Sequence, residues 1–382
     1  MRRSRHEALC QLCGIIVNKI LPVRTLAAYR RIADNARARG AEPFMPEKTT
    51  SALLVSSEVV FGARTIPSEE VDAVFLMPPG KLATRAGILS LAYADSTETE
   101  VTLGARAAEG ALRNAGVAAG SVDWVLASSE THHSVPWLAA QLHRAIGARE
   151  SCGAMDIGGA CLGSVHALAV AKALVESRAA RTVMVVTGDV HSRVLVPGRV
   201  AGEFGGLFGD GASAFVVRGN QAGASGPHFV LHDFFFGCAS QYQQAIQVSA
   251  EPNDQLRVVF DGDALSRAAT ARLDQCIEEL ERRSGVKRSD VAAFATHQPN
   301  PRLVALLARK AGVPQEKFPL VADLRGNLGS TTCAAALHYA MERARAARAG
   351  DARPIFLASL GPGLLFGGGW LEPVWASKPR AS

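Results

Sequence analysis

From about residue 50 onward, short apolar segments alternate with longer segments whose apolar residues recur every three or four positions. Short apolar runs between glycine-containing turns predict buried strands, whereas the longer spacing predicts helices. The run from Val183 to Val186 is continuously apolar and predicts a strand that is covered on both faces. After Cys161, Val165, Leu168 and Leu174 predict a buried helix. Strands that alternate with helices indicate an α/β fold.

One order of elements occurs twice along the chain. Between Arg106 and Ala127, a helix is followed by Gly116, a short turn and a strand, and the stretch from Arg272 to Ala295 repeats this order around Gly285. The repetition predicts a duplicated βαβαβ-type unit and therefore a chain of two similar halves.

The similarity continues beyond these two strands. Each strand is followed by a polar turn and an apolar helix, Trp137–Ile146 in the first half and Leu303–Ala311 in the second. Each half then reaches the end of a strand led by an aspartate, Asp156 or Asp323, and a glycine-rich turn into a buried helix. The offsets agree, with 169 residues between the two glycines and 167 between the two aspartates.

The first 44 residues differ from the rest, because they are rich in arginine and show no strand-like alternation. Two interpretations stay open: a helical arm, or upstream sequence carried by a misassigned start, with Met45 as an alternative initiator. Cys10 and Cys13 form a single CxxC pair, which without a second ligand pair is weak evidence for a metal. No metal site is predicted, and residues 45–220 and 221–382 are expected to form the two halves.

Composition narrows the possible partners and the compartment. The chain has 382 residues, of which 48% are hydrophobic and 20% charged, as is typical of a well-buried globular protein. Seven cysteines without framework spacing, and no visible signal peptide, favour the reducing cytoplasm. No apolar run is long enough to span a membrane. A net charge of +6 with 6% aromatic residues argues against nucleic acid and suits an acidic protein partner or a phosphorylated carrier.

Cys161 is the candidate nucleophile. It follows Gly158, Gly159 and Ala160 and directly precedes the predicted buried helix. The free N–H groups and the dipole of a helix N-terminus favour a thiolate, and the glycines permit a tight turn with close approach of a substrate. The alternative interpretation is a small buried core cysteine.

The duplication places two further polar residues near Cys161. In open α/β units, functional residues gather where strands end and turn into helices. Asn327 occupies the turn of the second half that corresponds to the turn of Cys161, and His297 ends the strand that begins near Val291. If the halves face each other around a pseudo-twofold axis, Cys161, His297 and Asn327 converge.

Four motifs now resemble a known family. They are DIGGACLGS from Asp156, LFGDGASA from Leu207, THQPNPR from Thr296 and GNLGS from Gly326. In this order and spacing, across residues 50–373, they are similar to the thiolase-fold ketosynthases called 3-oxoacyl-acyl-carrier-protein synthase III. The resemblance implies a thiolase-like fold, with two duplicated βαβαβ-type halves in a five-layered αβαβα arrangement. It also implies a homodimer that pairs edge strands of the first half across a twofold axis.

The resemblance implies a role for each candidate residue and no cofactor. Cys161 accepts an acyl group from an acyl-CoA or acyl-carrier-protein primer. His297 and Asn327 hydrogen-bond the thioester carbonyl of a malonyl-type carrier thioester, whose decarboxylation supplies the carbanion for a Claisen condensation. The loop with Gly361 and Gly363 supplies a backbone N–H to the oxyanion hole beside the N–H of Cys161.

In the relatives, a basic helix face docks the acyl carrier protein. Arg302, Arg309 and Lys310 have the spacing of one helical face here, and Arg85 also matches a basic residue of the substrate entrance. An ordinary solvated face is the alternative interpretation for the three helical residues.

Two departures from the family pattern weaken the expectation of a CoA primer, and a third concerns the oxyanion hole. Lys81 stands where relatives that use CoA have a tryptophan for the adenine, and Gly202 stands where they have a basic residue. The glycine loop contains Pro362, which has no N–H to donate. The first two favour a carrier-bound primer, and all three, with the N-terminal extension, favour a specialised pathway such as polyketide assembly. The insert with Phe234, Phe235 and Phe236 is a candidate wall of the primer pocket.

Three other functions compete with condensation. An acyltransferase of the same fold would pass the acyl group from Cys161 to a hydroxyl, an amine or a carrier, with His297 as general base. A papain-like thiol hydrolase also uses Cys, His and Asn in that order, but its cysteine signature and architecture are absent. An inactive ketosynthase-like partner would be expected to lack one of the three residues, and all three are present.

Overall fold

The computed structural model describes residues 50–220, 227–250, 256–347 and 353–375. The predicted N-terminal extension, residues 1–44, lies outside these ranges together with Cys10 and Cys13. The boundary between residues 220 and 221 falls at the edge of a gap, so the division into halves at this point stays a prediction.

Fourteen strands and nine helices are present in the described ranges. The strands are β1 Ala52–Phe61, β2 Arg64–Pro67, β3 Ser90–Tyr93, β4 Trp124–Ser128, β5 Gly153–Asp156, β6 Thr182–Val190, β7 Asp210–Gly219, β8 Pro227–Leu231, β9 Phe235–Cys238, β10 Ile246–Ala250, β11 Leu256–Phe260, β12 Ala293–Thr296, β13 Ile355–Gly361 and β14 Leu365–Trp375. The helices are α1 Ser68–Val74, α2 Glu100–Ala115, α3 Leu138–Ala145, α4 Gly163–Glu176, α5 Gly202–Gly205, α6 Gly262–Ser284, α7 Pro301–Ala311, α8 Ala322–Arg325 and α9 Ser330–Ala346. Within the described ranges, no helix combines the length and the apolar character that crossing a membrane requires.

The main sheet shows the duplication directly. Its order is β12-β13-β14-β8-β1-β7-β6-β4-β5, with β9 added beside β14. In the first half, β4 and β6 are parallel, and β6, β7 and β1 follow as antiparallel neighbours. In the second half, β12 and β13 are parallel, and β13, β14 and β8 are antiparallel neighbours. The halves meet where β1 pairs with β8 through Leu53 with Val230 and Leu54 with Phe229.

Three apolar clusters give the protein its layers. One cluster joins α4 and α9 to the inner faces of both halves of the sheet. A second joins α2 and α3 to the outer face of the first half, and a third joins α6 and α7 to the outer face of the second half. The order helix, sheet, helix, sheet, helix is the five-layered αβαβα arrangement that the motifs predicted. The central layer is the most deeply buried, because it is covered by sheet on both sides.

The second half departs from the first after α7. The described residues contain no strand there that would correspond to β5, and Asp323 lies in the short helix α8, so the prediction of a strand end at Asp323 is wrong. The side chain of Gln298 replaces the missing strand: its oxygen accepts hydrogen bonds from the N–H groups of Val321 and Ala322 at 3.0 and 3.3 Å, and its nitrogen donates to the carbonyl of Pro319 at 2.6 Å. Pro319 itself has no N–H to offer a ladder, which disfavours a paired strand.

The central layer generates a stability prediction. Leu168 of α4 is 1% exposed between the two halves of the sheet. We expect Leu168→Ala to lower the free energy of unfolding by about 2–5 kcal/mol, because it removes buried apolar surface and leaves a cavity. Denaturant unfolding measures this difference. The matched control is Leu76→Ala, since Leu76 is 91% exposed and its truncation should change stability by less than about 0.5 kcal/mol. Equal effects of the two substitutions would contradict the assignment of the central layer.

Candidate active site

A single cavity of about 690 Å³ contains the three residues that the sequence singled out. Cys161, His297 and Asn327 all line it. Cys161 comes from the turn before α4, His297 from the end of β12, and Asn327 from the turn before α9. The two halves of the sheet therefore bring residues that are far apart in the chain to one place.

The turn that carries Cys161 is strained and tightly packed. Gly159 has a φ of 139° and Ala160 a φ of 49°, and a 3-10 turn over Ala160–Leu162 leads into α4. The Cys161 carbonyl accepts a hydrogen bond of 2.8 Å from the hydroxyl of Ser359 on β13. Because Ala160 is not a glycine, its left-handed backbone conformation costs energy, and the surrounding packing must offset this cost. The bond to Ser359 ties the turn of the first half to a strand of the second.

The surroundings of Cys161 oppose the thiolate that a helix N-terminus favours. Burial raises the pKa of Cys161 well above its usual value, and the negative charge of the nearby Glu130 raises it further. The first turn of α4 does not overcome these effects, because the cysteine lies in a pocket where an anion loses its hydration. The buried surroundings therefore favour the thiol form of Cys161 over the thiolate.

His297 is a buried neutral imidazole. It is 4% exposed, and burial lowers its pKa to about 4. Its Nδ1 atom is buried without a hydrogen-bond partner among the described residues. A second proton on this ring would place an unpaired positive charge in the core, which explains the direction of the shift.

Asn327 is held in one orientation by its own loop. Its side-chain oxygen accepts hydrogen bonds of 3.0 Å from the Gly329 N–H and 3.0 Å from the Thr332 hydroxyl. Its backbone is anchored too, since its N–H donates to the Leu207 carbonyl at 2.8 Å and its carbonyl accepts from the Gly209 N–H at 2.9 Å. Because the amide oxygen is occupied, the NH₂ group of Asn327 is the part left to donate into the cavity.

A charged network beside Cys161 was not anticipated from the sequence. Glu130 follows β4, and His191 follows β6; Nε2 of His191 lies 3.5 Å from Oε2 of Glu130. Burial lowers the pKa of His191, but the neighbouring carboxylates of Glu130 and Asp189 raise it to about 9. Burial raises the pKa of Glu130, but the neighbouring His191 outweighs burial, so its pKa is lowered. Both residues lie just after the end of a strand, as His297 does, so the reasoning that identified His297 could also have identified them.

The glycine loop packs directly against the cysteine turn. A side chain at Gly361 would come within 2.6 Å of the Gly159 carbonyl, so only glycine permits this approach. Gly361 and Pro362 line the cavity, whereas Gly363, with a φ of 122°, follows in the next turn and does not line it.

The basic residues divide into two groups. Arg85, Arg302 and Arg309 are exposed and line the cavity, so they mark its entrance. Lys310 does not line it, because its Nζ atom turns to Asp274 of α6 at 3.8 Å. The structure therefore brings three of the four predicted docking residues together and leaves Lys310 apart.

The entrance also contains an ion pair. Nζ of Lys81 lies 2.6 Å from Oε1 of Glu203, and both residues line the cavity.

The predicted phenylalanine wall is not part of this cavity. Phe235 packs with the outer cluster of the second half, and Phe236 is 44% exposed with its ring centroid 4.8 Å from that of His166. Phe234, Phe235 and Phe236 are absent from the lining, to which the insert contributes Ile246 instead. The local hydrophobic pattern of the insert did not reveal that β9 adds to the sheet beside β14.

Comparisons with known proteins agree with this geometry. The family profile described as 3-oxoacyl-[acyl-carrier-protein (ACP)] synthase III matches residues 155–233, and the profile of its C-terminal part matches residues 281–372. Cys161 falls in the first match, and His297 and Asn327 fall in the second.

Relatives cover most of the chain. The β-ketoacyl-[acyl-carrier-protein] synthase III of Rubrobacter xylanophilus is 34% identical over 275 residues, which make up 71% of this chain and 84% of that protein. The enzyme of the same name from Haemophilus ducreyi is 30% identical over 300 residues, 77% of this chain and 88% of that protein. The crystal structure of a priming β-ketosynthase from a polyketide biosynthetic pathway superimposes with a TM-score of 0.73 at 27% identity, covering 86% of this chain and 98% of that one. This chain therefore belongs to the 3-oxoacyl-[acyl-carrier-protein] synthase III family of thiolase-fold condensing enzymes.

Proposed function

We propose that this enzyme transfers an acyl group to Cys161 and then condenses it with a malonyl-type carrier thioester to form a 3-oxoacyl product. The observation that carries the proposal is the orientation of Asn327. Its amide oxygen is occupied by Gly329 and Thr332, so that its NH₂ group can donate into the cavity that Cys161 and His297 share.

In the first half-reaction, Cys161 attacks the thioester of the primer. The new C–S bond forms, the carbonyl oxygen becomes an oxyanion, and the thiol of the carrier leaves. The N–H of Cys161 and an amide of the loop at Gly361 and Gly363 stabilise this oxyanion. The close contact between Gly361 and the cysteine turn supports this role.

In the second half-reaction, His297 and Asn327 hydrogen-bond the thioester carbonyl of the malonyl group. Loss of carbon dioxide leaves an enolate, whose negative charge these two neutral donors stabilise in a site shielded from water. The enolate carbon attacks the acyl group on Cys161, a C–C bond forms, and the C–S bond to Cys161 breaks. Cys161 leaves as a thiolate and takes up a proton.

The acyltransferase of the same fold is the second candidate. It would use His297 as a general base, a task that a carboxylate partner for the imidazole would assist. Nδ1 of His297 has no hydrogen-bond partner among the described residues, and its pKa of about 4 makes it a weak base at neutral pH. These two observations favour condensation.

The entrance supports a carrier-bound primer. Lys81, at the position where CoA-dependent relatives have an adenine-stacking tryptophan, is paired with Glu203 instead of presenting an aromatic face. We propose that an acidic acyl carrier protein docks on Arg85, Arg302 and Arg309, and that its phosphopantetheine arm reaches Cys161 through the cavity. A specialised pathway such as polyketide assembly fits these departures.

We also propose a homodimer in the cytoplasm. Strand β5 forms the edge of the first half, and its residues Ala154 and Met155 are exposed, as an edge available for pairing requires. The cysteines in the described ranges are free thiols, which supports a reducing compartment.

Intact-protein mass spectrometry tests the reaction. The protein is incubated with a panel of acyl-CoA and acyl-carrier thioesters and then with malonyl-carrier protein. A mass gain on Cys161 that is discharged only by the malonyl carrier, with release of carbon dioxide, is the expected result. Discharge by an alcohol or amine without malonyl would favour the acyltransferase, and no mass gain at all would favour an inactive partner.

Two substitutions separate the half-reactions. Cys161→Ala should abolish the mass gain, because it removes the nucleophile. Asn327→Ala should keep the acyl mass gain but lower the rate of condensation by about 10²- to 10³-fold, the scale for losing one oxyanion donor. Normal condensation by Asn327→Ala would show that its assigned role is wrong.

Because His297 is buried as the neutral imidazole, we predict that the folded protein loses stability in acid. The folded protein holds the pKa of His297 at about 4, whereas an unfolded histidine titrates near its ordinary value of 6.5. As the pH falls from 6.5 to 4, the unfolded state takes the proton first, so the free energy of unfolding decreases by about 1.4 kcal/mol per pH unit. In His297→Gln, denaturant unfolding should not show this decrease in the free energy of unfolding between pH 6.5 and 4. Parallel pH dependences of wild type and variant would contradict the prediction.

Removing an arginine from the entrance should weaken recognition of carrier-bound substrates selectively. Arg309→Ala should raise KM for carrier-bound substrate by up to about 5-fold, the value of one exposed ion pair, without changing KM for a carrier-free N-acetylcysteamine thioester. Steady-state kinetics with both substrates measures this. Lys310→Ala is the matched control, because the neighbouring Lys310 turns to Asp274 and not to the entrance. An equal loss in both variants would argue against this docking surface.

A further inference from the structure

Glu130 is a close neighbour of Cys161, and neither half-reaction described above uses it. Burial raises the pKa of the Cys161 thiol, and the negative charge of Glu130 raises it further, which places the two side chains near each other. Oε1 of Glu130 is buried and receives no hydrogen bond from an N–H or O–H group of the described residues. A buried carboxylate oxygen without such a donor is costly unless it has a function or another partner.

The fold holds this carboxylate in place from several sides. The Glu130 N–H donates to Oδ1 of Asp189 at 2.5 Å, and Asp189 is itself bound by the N–H and hydroxyl of Ser330 at 3.1 and 2.6 Å. On the other side, His191 faces Glu130 through Nε2, while its Nδ1 donates to the Gly209 carbonyl at 3.1 Å. Two strand ends of the first half and the first turn of α9 thus fix the position of Glu130 relative to Cys161.

Gly329 permits the close packing around this pair. A side chain at Gly329, which has a φ of 57°, would come within 2.9 Å of the Glu130 carboxyl carbon and 2.6 Å of the His191 ring. The motif that carries Asn327 therefore also covers Glu130, so the same turn positions Asn327 and packs against the carboxylate.

We propose that Glu130 is a further catalytic residue, the general base that takes the proton of the Cys161 thiol during acylation. The proposal deepens the function proposed above and rests on it. It follows from the position of the carboxylate behind the turn Asn327–Gly329, which lines the cavity of Cys161, from the unpaired Oε1 atom, and from Nε2 of His191 at 3.5 Å.

One proton moves in this step, from the Cys161 thiol to Glu130 and then to the leaving group. As the Cys161 sulfur bonds to the thioester carbon, its proton moves to Glu130, and the bond between that carbon and the leaving sulfur breaks. The protonated Glu130 then gives the proton to the leaving thiolate, which departs as a thiol. Because the transfer accompanies bond formation, the enzyme never needs a free Cys161 thiolate, which its buried pocket disfavours.

The ionisation of Glu130 depends on every charged or titratable neighbour. Its pKa is lowered chiefly by His191, whose own pKa is raised to about 9, so the carboxylate is ionised at neutral pH. The groups that face this pair from the packed elements are Cys161 before α4, Asp189 on β6, Asp210 on β7 and His297 after β12.

The test compares wild type, Glu130→Gln and Glu130→Asp in single-turnover acylation across pH 6 to 9. The probes are acetyl, butyryl and octanoyl thioesters of N-acetylcysteamine, and intact-protein mass spectrometry follows the mass gain. We expect the wild-type rate to be independent of pH. The Glu130→Gln rate should fall by about 10²-fold or more at pH 7 and rise tenfold per pH unit, because the thiolate must form first. Glu130→Asp, which retains a carboxylate, should recover part of the rate.

A second measurement tests the contact itself. Alkylation of Cys161 by iodoacetamide, followed at the peptide level, should show a lower midpoint pH in Glu130→Gln, because the neighbouring negative charge is gone. Glu98→Gln is the matched control, since Glu98 is also buried but pairs with Arg106 away from the cavity.

The outcomes are distinct. Equal acylation by wild type and Glu130→Gln, or a loss that is the same at every pH, would overturn the role of Glu130 and leave the proposed function intact. An unchanged alkylation midpoint would also overturn it. If wild type is acylated neither by these thioesters nor by the acyl-CoA and acyl-carrier panel, the proposed function fails together with this inference.

Discussion

Burial of α4 and α9 between the two halves of the sheet is the constraint on which the rest of the structure depends. A helix that is covered by sheet on both sides cannot shift without opening a cavity, and cavities in a core of this density are costly. The turn of Cys161 leads into α4 and the turn of Asn327 leads into α9, so the packing of these helices sets the positions of both residues. The hydrogen bond from Ser359 to the Cys161 carbonyl then joins the two halves at Cys161.

Charged and neutral side chains form two separate groups near Cys161. Glu130 and His191 form an ion pair that the backbone and Asp189 hold beside the thiol. His297 and Asn327, by contrast, offer neutral donors, one because burial prevents a second proton and the other because it carries no charge. This division suits a reaction in which a thiol loses a proton in one step and an enolate is stabilised in another, since each step needs a different electrostatic environment.

The side chains at the cavity entrance differ in kind from those in the interior. The interior contains Cys161, His297 and Asn327, whereas the entrance carries the Lys81–Glu203 ion pair and exposed arginines. Chemistry in this fold depends on groups held by the central layer, and substrate choice depends on side chains of surface segments that the central layer does not constrain. The two properties can therefore change independently.

The sequence by itself determined the duplicated order of elements, the fold class and the three residues Cys161, His297 and Asn327. Those features depend on local rules: hydrophobic spacing, turns rich in glycine, and the position of a residue at a strand end. Only the tertiary structure decided that Glu130 is a neighbour of a buried Cys161, that Gln298 replaces a strand of the second half, and that the expected phenylalanine wall lies elsewhere. These outcomes depend on contacts between segments that are distant in the chain, and a local pattern carries no information about which distant groups share one buried space.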